Sequence, residues 1–229
     1  MRKWCARNRD ELCSDSALEW ICNGLRERSA MLIPSGTYRY EIRRGGAVLA
    51  IEEARYANGV ITGMRRTLDG ANLHEVEAVL DADETIKRVS VRYNRGLFKR
   101  SAVYEAAGDA LRGSVSAVAG HNEVVVKLGR FREIDADLVL FRALILAHVR
   151  ARGQLRWTGR VAIIDPNTLV AAALKQNCRQ TDQAGLRWAW EARMGDSEEI
   201  ELDPAGKLVR QRDSWGVEKV LVEYAAVPT

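Results

Sequence analysis

From Thr37 onward, apolar and polar residues alternate along most of the chain. Tyr38, Tyr40 and Ile42 fall on one side, and Arg39, Glu41 and Arg43 on the other. This is the pattern of a strand with one buried face. Gly45-Gly46, Asn58-Gly59 and Asp69-Gly70 then interrupt the alternation. Such dipeptides tolerate the positive φ angles of a tight hairpin turn. The pattern predicts strands over residues 37–43, 47–57, 60–68, 74–80, 85–93, 101–107, 111–118 and 123–128. It resumes over 155–164, 168–176, 186–194, 198–202, 207–212 and 217–224. The clearest of these places Leu186, Trp188, Trp190, Ala192 and Met194 opposite Arg187, Ala189, Glu191 and Arg193. Short strands with regularly spaced turns mark an antiparallel meander that forms a barrel or sandwich.

Two stretches follow a helical period instead. In residues 10–28, Leu12, Ala17, Leu18, Ile21, Cys22 and Leu25 recur at helical spacing, and Pro34-Ser35-Gly36 then breaks the chain. The break separates an N-terminal helical arm, 1–33, from a β domain, 34–229. The arm is open to three roles: a lid, a packing arm or a homodimer contact. Within the β domain, residues 135–152 put Leu138, Phe141, Leu144, Ile145 and His148 on one helical face. Asp135 or Asp137 can cap this inserted helix, Gly153 can close it, and Arg150 and Arg152 suit its C-terminal dipole. The expected fold is mainly β: a curved antiparallel sheet, half-barrel or open barrel, with one central helix in its concave side and an N-terminal helix. An antiparallel sheet needs one face covered, and the apolar seam of the helix supplies the cover.

Composition narrows the picture. The chain has 229 residues, of which 47% are hydrophobic and 29% charged, enough for a packed core. The net charge is +4. The main basic cluster is Lys87, Arg88, Arg92, Arg95, Lys99 and Arg100. Strand alternation scatters it over two faces, whereas nucleic acid calls for a single stripe with interleaved aromatics. No nucleic-acid partner is expected; peripheral contact with an anionic membrane is the alternative use of the cluster. No apolar run of signal-peptide or membrane-spanning length occurs, so a cytoplasmic location is expected. Cys5, Cys13, Cys22 and Cys178 match no CxxC spacing, and His74, His121 and His148 form no HxxxH or HExxH pair. No metal and no cofactor are expected. Gly-x-Ser-x-Gly is absent, and Arg43-Arg44-Gly45-Gly46 lacks the strand-to-helix setting of a phosphate loop.

The tyrosine-bearing strand after Gly36, the Gly45-Gly46 and Asn58-Gly59 hairpins, the central helix near 137–149 and the closing hairpin at 200–208 together resemble the bacterial β-cup proteins. These include the lipoprotein carrier LolA, its relatives and glycolipid-binding proteins of similar fold. The likeness is one of organisation and spans residues 36–226. It implies that an acyl chain or another apolar ligand is held between sheet and helix.

Three readings follow. The first is a module that binds a hydrophobic small molecule or lipid. Tyr38, Tyr40, Phe141, Trp188 and Trp190 would line its cavity. The second is a cofactor-independent enzyme in the same cavity, an isomerase, cyclase or hydrolase of a hydrophobic metabolite. Its catalytic residues would be His148 as general base, Asp137 and Tyr40. The third is a structural protein whose exposed sheet face packs on a partner. The same residues also suit plain structural roles: core histidine, capping aspartate, core aromatics.

Overall fold

The computed structural model describes residues 32–118, 120–128, 132–192 and 196–227. The helix expected over 10–28 lies outside the described residues. The compact unit begins at Leu32. Its first residues are tied down at once: Ile33 is buried in the core, and the Leu32 amide donates to Glu84 Oε2 at 2.8 Å.

Eight strands form a continuous meander: β1 (Gly36–Arg44), β2 (Ala47–Ala57), β3 (Val60–Thr67), β4 (Asn72–Leu80), β5 (Ile86–Arg95), β6 (Phe98–Ala107), β7 (Ala110–Ala117) and β8 (Gly120–Lys127). A short β9 (Glu133–Asp135) and the helix α1 (Val139–Ala151) follow. The chain then returns to the sheet as β10 (Arg156–Ile164), β11 (Ala171–Gln180), β12 (Arg187–Ala192), β13 (Ser197–Leu202), β14 (Leu208–Asp213) and β15 (Val217–Ala226). The turn chemistry explains the meander. Asn58 and Gly59 both take positive φ, 52° and 70°, as a type I′ hairpin requires.

All fifteen strands join one sheet, ordered β8-β7-β6-β5-β4-β3-β2-β1-β15-β14-β13-β12-β11-β10-β9. The last strand, β15, pairs with the first, β1, and joins the two halves. Every pairing is antiparallel except β9 with β10. A parallel pair needs a crossover connection, and α1 is that crossover. The sheet stays open between β8 and β9, yet β8 comes within 8 Å of β11, Cα to Cα. Tyr104 bridges the two halves there: its hydroxyl donates to the Leu169 carbonyl at 2.6 Å and accepts from the Ala171 amide at 3.1 Å.

Two expectations about the helix need correcting. It runs from Val139 to Ala151, not from residue 135, because Asp135 is spent on β9 and Asp137 takes a φ of 61°. Neither aspartate caps its first turn. The expected single apolar seam is also too narrow. Ten of its thirteen residues are buried, Val139 to Phe141 and Ala143 to Val149, so the sheet wraps most of its circumference. Gly63 permits the close approach at the N-terminal end, since a Cβ there would collide with Leu138 Cδ1.

Candidate functional site

Buried ion pairs hold α1 in place. At its N-terminus, Glu52 is fully buried on β2 and accepts the Val139 amide on Oε1 at 2.7 Å. Its Oε2 takes the Nε and Nη2 of Arg65 at 3.0 and 2.7 Å. Arg65 also reaches Asp137, with Nη1 on Oδ2 at 2.6 Å and Nη2 on the backbone carbonyl. A glutamate from a distant strand thus replaces the local cap and satisfies an orphan helix donor. Burial alone would lower the Arg65 pKa, but Asp137 and Glu52 outweigh it and raise it. Burial likewise works against ionised Asp137, yet Arg65, Lys219 and His74 hold its pKa below the usual value. His74, on the same side, is pushed down to about 4, chiefly by burial.

A second set fixes the far end. His148 Nδ1 lies 3.0 Å from Glu133 Oε2, and Arg152 reaches Glu133 Oε1 at 3.3 Å. His148 Nε2 is buried without a hydrogen-bond partner. In the first turn of α1, Arg142 pairs with Asp135 at 3.1 Å and with Glu198 at 3.5 Å, and its guanidinium lies 4.1 Å over the Trp190 ring. Opposite Trp190 in the sheet register, the Cys178 thiol is pushed up to about 12 by burial.

The residues singled out by sequence fall among these contacts. Tyr40 and Asp137 belong to one neighbourhood: burial and then the charge of Glu52 raise the Tyr40 pKa, and Glu52 links through Arg65 to Asp137. His148 stands apart, nine residues beyond Val139 and roughly 14 Å along the helix axis. The Tyr38 hydroxyl donates to the Pro34 carbonyl and the Tyr40 hydroxyl to the Leu208 carbonyl at 3.0 Å. Trp188 Nε1 donates to the Gly185 carbonyl at 3.1 Å, and Trp190 Nε1 to Gln176 Oε1 at 2.7 Å. Tyr40 and Phe141 are 0% exposed, Trp190 1%, and Tyr38 and Trp188 2%. Among the described residues, these five side chains are packed as core and present no open face of their own to a ligand.

A described depression lies on the opposite face of the sheet. It has a volume of about 760 Å³, within the range of small-molecule sites. Cross-strand register builds it from two rows. One runs Glu223–Arg39–Glu53–Met64–Glu75–Arg92 across six adjacent strands, roughly 24 Å at the usual strand spacing. Beside it runs Thr37–Arg55–Thr62–Glu77–Ser90. With Arg88, the groove carries four arginines and four glutamates around Met64, Thr37, Thr62 and Ser90. Arg39 and Glu53 stand 3.8 Å apart and Arg88 and Glu105 3.9 Å, all four well exposed. Exposed pairs hold little energy, so these groups are free to engage a ligand. The outward strand positions were visible in the sequence, but their assembly into two rows depends on long-range register. Among the described residues, no three His, Cys, Asp or Glu side chains are grouped to hold a metal ion.

Among the described residues, an open, β-barrel-like sheet wrapped on one helix is the class this geometry defines. No family model and no curated protein sequence matches the chain. Solved structures do match its fold. One is the crystal structure of a DUF1089 family protein from Pseudomonas aeruginosa, with a TM-score of 0.53 and 16% identity, covering 73% of this chain and 90% of the other. Another is a β-barrel-like protein of domain of unknown function DUF1849 from Brucella abortus, with a TM-score of 0.57 and 9% identity, covering 86% and 99%. At these identities the likeness is one of fold. No described helix is long and apolar enough to cross a membrane.

Proposed function

We propose that the protein is a binding module for an amphipathic molecule with a hydroxyl-rich head, held in the groove across β1–β5 and β15. The observation that carries this reading is the row of alternating carboxylates and guanidiniums around Met64. A purely apolar ligand would strip water from eight charges and return no hydrogen bonds. A strongly charged ligand would meet as many like charges as opposite ones. Neutral hydroxyls suit both signs, donating to Glu53, Glu75, Glu77 or Glu223 and accepting from Arg39, Arg55, Arg88 or Arg92. A short apolar segment can lie on Met64. A glycolipid is such a molecule. Native mass spectrometry of gently purified protein tests this. A retained glycolipid, lost in an Arg92→Ala/Glu75→Ala variant of unchanged melting temperature, is the expected result. Retention of an acyl chain without a polar head, unaffected by that variant, would refute the groove reading.

A second reading, catalysis at His148, has one observation in its favour. Glu133 holds the ring through Nδ1, and Nε2 is buried without a partner, so it can act as a general base only on a substrate admitted by an opening of the sheet around α1. Turnover of a candidate glycolipid that His148→Gln abolishes, with the fold intact, would support catalysis over simple binding.

A further inference from the structure

Alternate turns of a meander fall at one end of the sheet. The β3–β4, β5–β6 and β7–β8 turns therefore share a rim. Their tips carry Leu68, Leu97, Phe98 and Val118, which are 61, 93, 69 and 85% exposed. Turn tips normally carry Gly, Asn, Asp or Ser, which suit the backbone and the solvent. The Arg95–Phe98 turn already has its Gly96, at φ 57°, so turn geometry does not call for the apolar pair beside it. Successive tips are two strands apart, so they stand roughly 10 Å from one another in a line about 20 Å long.

Basic residues flank this line. Arg66, Arg95 and Lys99 are exposed beside the tips, and Arg100 is turned to the Asn167 carbonyl. Two acids lie close by: Asp69, which accepts from Thr67 Oγ1 at 2.5 Å and from the Ala71 amide at 3.0 Å, and Asp165, which accepts from the Asn167 amide at 3.0 Å beside Arg100. Glu123 lies further down β8, opposite Ser114. Single exposed apolar residues are ordinary; several projecting tips on one rim, ringed by cations, are not. A protein partner of unknown shape would not require the cations, whereas a lipid surface uses both features. Apolar tips enter the headgroup boundary while guanidinium and ammonium groups meet anionic headgroups.

We propose that this rim docks on an anionic lipid bilayer, with Leu68, Leu97, Phe98 and Val118 inserted and Arg66, Arg95 and Lys99 against the headgroups. The docking does not depend on the groove, which lies on the strand faces and not at their ends.

The test is co-sedimentation of the full chain with vesicles of phosphatidylcholine alone or mixed with phosphatidylglycerol. The chain is expected to bind the mixed vesicles and to be released by salt. Leu97→Ser/Phe98→Ser and Arg95→Glu/Lys99→Glu are each expected to weaken partitioning about tenfold or more, while Arg92→Ala/Glu75→Ala leaves it unchanged. The tip residues are too exposed for these changes to unfold the chain, and equal melting temperatures confirm it. Binding that survives both rim variants, or no binding to mixed vesicles, overturns the proposal. So does light scattering that shows a wild-type dimer dispersed by the tip variant, since the rim would then join two copies.

Discussion

His74 is a histidine that the fold keeps neutral. Burial lowers its pKa from 6.5 to about 4. Below pH 6.5 the unfolded chain takes up a proton that the folded chain refuses, so stability falls as the pH drops towards 4. At 1.36 kcal/mol per unit the loss is about 3 kcal/mol. Urea midpoints at pH 7 and pH 4.5 should differ by less in His74→Leu than in the wild type; equal differences would show that His74 does not carry the acid sensitivity. Trp190 makes a different kind of contribution. It is 1% exposed, lies under Arg142 and donates to Gln176. Trp190→Ala is expected to cost about 3–5 kcal/mol in denaturant unfolding. A loss under about 1 kcal/mol would mean that the site is not a packed core. Periodicity placed Trp188 and Trp190 on the inward face correctly. It did not tell a core wall from a ligand wall, because both demand the same alternation of apolar residues.

The central helix is the element whose position depends most on charge. Glu52 replaces a local cap and neutralises Arg65, which in turn holds Asp137. Removing one member of a buried pair strands the other, so Glu52→Ala should destabilise by about 3–5 kcal/mol. Glu52→Gln keeps an acceptor for Val139 and should lose less. Guanidinium unfolding followed at 222 nm measures both; identical losses would mean that the charge on Glu52 is irrelevant. The hairpins were legible in sequence because Asn58-Gly59 and its like act within a few residues. The helix was legible as a break in period. Its start was not, because its cap comes from a residue 87 positions away and the aspartates beside it serve β9 and Arg65. The strand β9 was missed for a simpler reason: three residues carry no measurable period.

At the scale of the molecule, one face of the sheet packs on the helix and the other, in the described residues, faces outward. The inner face closes on α1 through apolar packing and three charged clusters. The outer face presents the groove, in which residues far apart in sequence become neighbours through register alone: Arg92 beside Glu75, Glu53 beside Arg39, Arg39 beside Glu223. Sequence alternation marks each of these side chains as outward, but the pairing order sets charge against charge. Calorimetric titration of the full chain with a short-chain alkyl glycoside, below its micelle concentration, tests the groove most directly. The account predicts saturable one-to-one binding, weakened about tenfold or more in Arg92→Ala/Glu75→Ala, where paired hydrogen bonds to charged groups are lost. The same variant should melt at the wild-type temperature. No binding by the wild type, or equal binding by the variant, would contradict the account.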